Sequence, residues 1–273
     1  MTSFALRLRR SFSAAAVAWA VLVQVCDMRA ELVPVRHIEG TERGFLELRT
    51  QDGRMLAVGD LIQVVQGERV TSHLVFHFKD GSLDDETTVF TQRGKFRLVT
   101  DRHIQKGRSF PNPMDVSVDA ASGKVTVRST GRDGKKTVKT DHLDLPPDLA
   151  NGVILTLMTN IRPDVPETDV PMVVATPKPR LIKLAISPAG EDSFSIGDAP
   201  HKATRYVIKI QLGGIAGLLA PLLGKQPKDI QIWILEGEAP AFVKEQGQLY
   251  QGGPVWNVQL ASPVWPRTPH PSR

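Results

Sequence analysis

The chain's best material for chemistry is a pair of histidines and a short run of acids. His73 and His77 stand four residues apart, and Asp84, Asp85 and Glu86 follow just after Asp80-Gly81. An Asp-Gly pair between two alternating runs signals a hairpin, because glycine accepts positive φ at little cost. A two-residue turn there pairs Lys79 with Ser82, His77 with Asp84, Val75 with Glu86 and His73 with Thr88. Cross-strand partners share a face. On that register His73, His77, Asp84 and Glu86 gather as two imidazoles and two carboxylates, donors that suit zinc or another divalent cation and metal-assisted hydrolysis. The bland alternative is a solvated face of His–acid pairs, and no H-E-x-x-H spacing accompanies the four residues.

The opposite face of the same hairpin carries Leu74, Phe76, Phe78, Leu83 and Val89, and Asp85 falls among them. A carboxylate on a core face must find a cation or backbone donors, or stay protonated, and it then lines a polar pocket. A bulge that shifts the register would move it out instead.

Further ligand-binding candidates come late in the chain. Trp233, Phe242 and Trp256, with Tyr250 and Trp265 nearby, could line an apolar pocket or simply pack a core. Arg180, in Lys178-Pro179-Arg180, and Lys225, in Lys225-Gln226-Pro227-Lys228, could meet an anionic ligand or a lipid head group; exposed turn charge is the alternative. Residues 213–224 are apolar and glycine-rich, and form either an exposed binding patch or core. There is no nucleophile elbow, P-loop or dinucleotide fingerprint, so no cofactor is expected. Spacing assembles no Ser/His/Asp set, and the balance is against an enzyme.

The first thirty residues say where the chain goes. Arg7, Arg9 and Arg10 precede an apolar run over 11–25, and Ala30 follows Asp27-Met28-Arg29. That is the layout of a secretory signal peptide. The run is short for a transmembrane helix, which needs about 20 residues. Cleavage near Ala30 is expected, leaving a periplasmic or secreted chain without a transmembrane span. Arg9-Arg10-Ser11-Phe12 is similar to the core of a twin-arginine signal. Cys26 is the only cysteine, and Val23-Gln24-Val25 before it lacks the small residues of a lipid-anchor site. The mature chain therefore has no thiol nucleophile. Loss of the signal takes 34 basic and 29 acidic residues to 30 and 28. Too little basic excess remains for nucleic acid to be an expected partner.

Residues 31–262 read as a single β-rich domain and 263–273 as a proline-rich tail. Alternation at period two marks strands at 55–66, 69–79, 83–92, 95–105, 114–119, 124–130 and 135–141. It resumes at about 170–175, 180–187, 204–212, 229–235, 240–245 and 255–261. Between the two series, Leu149, Ala150, Val153, Ile154, Leu157, Met158 and Ile161 recur at helical spacing behind Pro146-Pro147. The pattern predicts a mainly β fold: an antiparallel curved sheet or open barrel wrapped around one central helix at about 147–161. Gly152 inside that helix suggests close backbone approach.

The run His73 to Phe90 (HLVFHFKDGSLDDETTVF), with LDLPPDLANG at 143–152 and APLLGKQP at 220–227, resembles a family of uncharacterised exported bacterial proteins. That resemblance implies no activity and no site residues. The strand–helix–strand layout is similar to the lipoprotein-carrier folds LolA and LolB, which implies a curved sheet wrapping helices around an apolar cavity. Three functions follow as expectations: a binding protein for a lipid or other apolar ligand between sheet and helix, a cell-envelope interaction module with an envelope protein partner, and the metal-assisted hydrolase.

Overall fold

The loop at Asp80-Gly81 sets the register of everything around it. In the computed structural model, which describes residues 33–130, 134–175, 178–196, 199–212 and 227–261, this loop has three residues. The Phe78 N–H donates to Ser82 O (3.0 Å) and the Gly81 N–H donates to Phe78 O (3.0 Å). Gly81 takes φ +84°, the left-handed residue that closes a type I turn with a bulge. Asp80 holds the wider loop: its Oδ1 accepts from the Ser82 N–H (2.8 Å) and its Oδ2 from the Ser109 hydroxyl (2.9 Å). The loop at Asp52-Gly53 is built alike, with the Gly53 N–H on Thr50 O and the Thr50 N–H on Arg54 O.

Alternating apolar residues separated by such turns give a meander. The strands are β1 Glu42–Thr50, β2 Met55–Gln66, β3 Arg69–Phe78, β4 Leu83–Arg93, β5 Lys95–Lys106, β6 Met114–Asp119, β7 Lys124–Thr130 and β8 Lys136–His142. After helix α1 at Ile154–Asn160 come β9 Thr168–Val174, β10 Arg180–Ile196, β11 Ala199–Gln211, β12 Ile230–Leu235, β13 Ala241–Gly247 and β14 Trp256–Leu260. All belong to one antiparallel sheet in the order β8-β7-β6-β5-β4-β3-β2-β1-β14-β13-β12-β11-β10-β9. Two sequential meanders are thus joined by one non-sequential pairing, β1 with β14 (Leu48 opposite Val258). The sheet is not closed: β8 and β9 are its two edges.

The expected strands match closely, with two differences. β1 lies outside the alternation read from sequence. The β10–β11 hairpin runs further than expected, because a bulge between Pro188 and Glu191 absorbs a stretch that reads as loop. The helix is half its expected length. Leu149, Ala150, Val153, Leu157, Met158 and Ile161 are all buried, as the helical spacing implies. Gly152, however, sits at φ +60°, so 148–153 forms a largely buried turn and the helix begins after it. The several helices that the LolA and LolB layout implies have no counterpart among the described residues. The apolar stretch 213–224, the leader 1–30 and the tail 263–273 lie outside the described residues.

Inward side chains form two apolar clusters. One joins Phe90, Phe96, Leu98, Val116 and Val118 to the helix (Leu157, Met158) and to Ile182, Ile186, Tyr206, Ile232 and Ile234. The other holds Leu46, Leu48, Phe76, Phe78, Phe110, Trp256 and Val258. Phe242 packs against both.

Candidate binding site in the sheet interior

The three-residue loop moves β4 by one position against β3. The pairs are His77 with Leu83, Phe76 with Asp84, Val75 with Asp85, Leu74 with Glu86 and His73 with Thr87. A one-residue slip exchanges the faces of a strand. The expected metal tetrad is therefore divided: Asp84 and Glu86 point inward beside Phe76 and Leu74, whereas His73 and His77 point outward. Asp85 leaves the core face, as a register shift would have it do, and its Oδ1 lies 3.0 Å from His73 Nε2 on the outer surface. Among the described residues no group of three or more His, Cys, Asp or Glu is arranged to hold a metal ion.

What the shift builds is an interior polar layer. Asp84, Glu86 and Thr88 on β4 lie opposite Gln105, His103 and Asp101 on β5. His103 Nε2 lies 2.6 Å from Asp84 Oδ1, and its Nδ1 lies 3.9 Å from Glu86 Oε1. Gln105 Nε2 donates to Asp84 Oδ2 (2.9 Å) and to Leu249 O (2.9 Å). The Thr88 hydroxyl donates to Asp101 Oδ1 (3.0 Å). Gly152 presses onto this pair: a Cβ there would stand 1.8 Å from Thr88 Oγ1 and 2.9 Å from Asp101 Oδ1. Glu245 joins from β13, between Ile232 and Val258 on the neighbouring strands.

The layer carries four carboxyl groups against one imidazole, and burial governs their titration. Burial, followed by the charge of Glu86, lifts Asp101 to about 8. Burial and the charge of Asp84 lift Glu245 to about 7. Glu86 is raised as well, by burial above all, with His103 opposing and Asp84 and Glu245 adding to the rise. Burial works against a charged His103, but Glu86, Asp84 and Asp101 outweigh it and lift the imidazole to about 9. At neutral pH the layer thus combines an imidazolium with a protonated Asp101, which can donate a hydrogen bond, while Glu245 is in mid-titration. Although they face inward, Glu86 and His103 keep 26% and 24% of their side-chain surface, so an opening of at least water size reaches them.

The other sequence candidates scatter. Phe242 and Trp256 are interior, Trp256 packing on Phe78 and Tyr250. Trp233 is on the outer face, where its Nε1–H donates to Asp192 Oδ2 (2.8 Å) and Lys244 Nζ stands 4.9 Å from its ring centre. Arg180 opens β10 opposite Val174, away from the polar layer, and Lys225 lies outside the described residues. Asp101, His103, Gln105 and Glu245 are absent from the sequence reading. Their signal was present in part: polar residues at every second position of 101–105 answer the polar positions 84, 86 and 88 on the preceding strand.

No family model matches the chain, and no curated protein matches it. Among solved structures it is similar to a β-barrel-like protein of a domain of unknown function, DUF1849, from Brucella abortus. The identity is 9%, 85% of this chain and 97% of that one are covered, and the TM-score is 0.44. No residue role is carried over from it. Among the described residues no helix is long and apolar enough to cross a membrane.

Proposed function

We propose that the chain is an exported binding protein that holds a lipid or another largely apolar ligand inside the sheet. One observation carries this reading. A polar layer reachable by water lies between two apolar clusters, which suits a ligand that is mostly apolar with a group able to hydrogen-bond. The apolar part would lie against Leu74, Phe242 and Trp256. The polar group would meet Glu86, His103 and Glu245. Export rests on the basic and apolar leader over 1–30.

Trp256 supplies the reporter. Titrating the purified mature chain with a panel of fatty acids, lysophospholipids and alkyl amines should give a saturable change in tryptophan fluorescence with at least one of them. Trp256→Phe should remove most of that change, and Glu86→Gln should alter the affinity. A flat response across the panel would sink the proposal. A second reading, an envelope interaction module, is favoured by one feature, the open edge at β8.

A further inference from the structure

The two edges of the sheet are finished differently. At β9 the chain seals its own edge. The Ala150 N–H donates to Pro171 O (2.8 Å). The Asn151 side chain donates from Nδ2 to Val173 O (2.9 Å) and accepts the Val173 N–H at Oδ1 (2.8 Å). Pro171 has no N–H to offer. Covering an edge in this way prevents another chain from pairing with it.

At β8 the described residues provide no such cover. The strand pairs with β7 from Lys124 opposite His142 to Thr130 opposite Lys136, and no other strand among the described residues pairs with its free side. Six of its seven residues are exposed, Asp141 alone being half-buried, and Val138 keeps 65% of its surface. An open cleft of about 420 Å³ runs beside the strand, lined by Lys139, Thr140, Asp141, Lys178 and Pro179. Among the described residues of the strand and cleft, Lys136, Lys139 and Lys178 outnumber the one acid, Asp141, and His142 ends the strand.

We propose that β8 is a docking edge for an extended acidic segment of another protein, which adds to the sheet as a further strand. Backbone hydrogen bonds along 136–142 would give the pairing, and alternate side chains the specificity. Charge decides the occupant. A second copy of β8 paired about Lys139 would bring lysine against lysine, and edge lysines disfavour such pairing. A strand with carboxylates facing Lys139 and Lys178 meets complementary charge instead. The inference stands apart from ligand binding in the interior.

The test uses the mature chain and a labelled short peptide of alternating valine and glutamate. Fluorescence anisotropy should show saturable binding that weakens with salt. Hydrogen exchange should show new protection of the Val138 and Thr140 amides, which point away from β7. The double variant K139E/K178E, on exposed positions that do not threaten folding, should lose affinity by about tenfold or more. The same peptide N-methylated at alternate amides should not bind. The idea is overturned by absence of binding up to about 1 mM, by equal affinity for a valine–lysine peptide, by an unchanged K139E/K178E, or by full binding of the methylated peptide. Protection of the Val138 and Thr140 amides in the free chain would overturn it too, since a segment of the chain or a second copy would then already hold the edge.

Discussion

Among the described residues four carboxyl groups share the interior polar layer with a single imidazole, and that imbalance makes the fold sensitive to pH. Asp101 and Glu245 keep their protons to about 8 and about 7 in the folded chain, whereas unfolded carboxyls release them near 4. The folded state therefore holds more protons across that interval, and stability falls as pH rises through it. His103 acts in the same direction. Its stabilising charge is fully present below the ordinary imidazole value of 6.5 and is lost as pH passes about 9. The urea midpoint should thus be highest in mild acid and decline steadily to about pH 9. Asp101→Asn and Glu245→Gln keep the shape and remove the ionisation, so each should flatten that decline. A midpoint that rises from pH 6 to about 9 would contradict the assignment. The same residues explain why the site was hard to see. Polar side chains on an inward face look like a solvated face until the strand opposite and the far side of the sheet are in place.

At the scale of elements, the turn before α1 does more than start a helix. Its Gly152 conformation brings the backbone onto Thr88 and Asp101, and its Asn151 completes β9. Asn151→Ala would leave the Val173 N–H and C=O without their partner in a buried position. A loss of about 2–6 kcal/mol is expected, from two groups at about 1–3 each. Thermal or urea denaturation measures it, and a change near zero would mean that the turn does not seal the edge. The hairpin β3–β4 shows how an element misleads. Asp-Gly serves both a two-residue turn and the three-residue loop found here. The choice rests on Asp80 bonding Ser82 and Ser109, and Ser109 belongs to a different hairpin. Local sequence contains the turn but not the contact that selects its length.

The whole molecule depends on one pairing that sequence order does not supply. β1 and β14 join the meander β1–β8 to the meander β9–β14, so the interior exists only while they stay paired. Leu48 sits fully buried at that junction, opposite Val258. Leu48→Ala should cost about 3 kcal/mol and, by loosening the junction, should also weaken any ligand held inside. A calorimetric scan of the variant, run beside its fluorescence titration, checks both effects.

The sequence by itself determined the β class, nearly every strand of the two meanders, the buried face of the 149–161 segment and the close approach at Gly152. These are local properties: side-chain alternation at period two, apolar spacing near 3.6, and glycine's tolerance of positive φ. Tertiary structure decided the length of the β3–β4 loop, and through it the face on which Asp84, Asp85 and Glu86 lie. It also decided the joining of β1 to β14, the approach of Glu245 to the β4–β5 acids, and, among the described residues, the contrast between a sealed β9 and an unpaired β8 edge. Each of these depends on groups far apart in the chain, and a slip of one residue is enough to send a side chain from the interior to the surface.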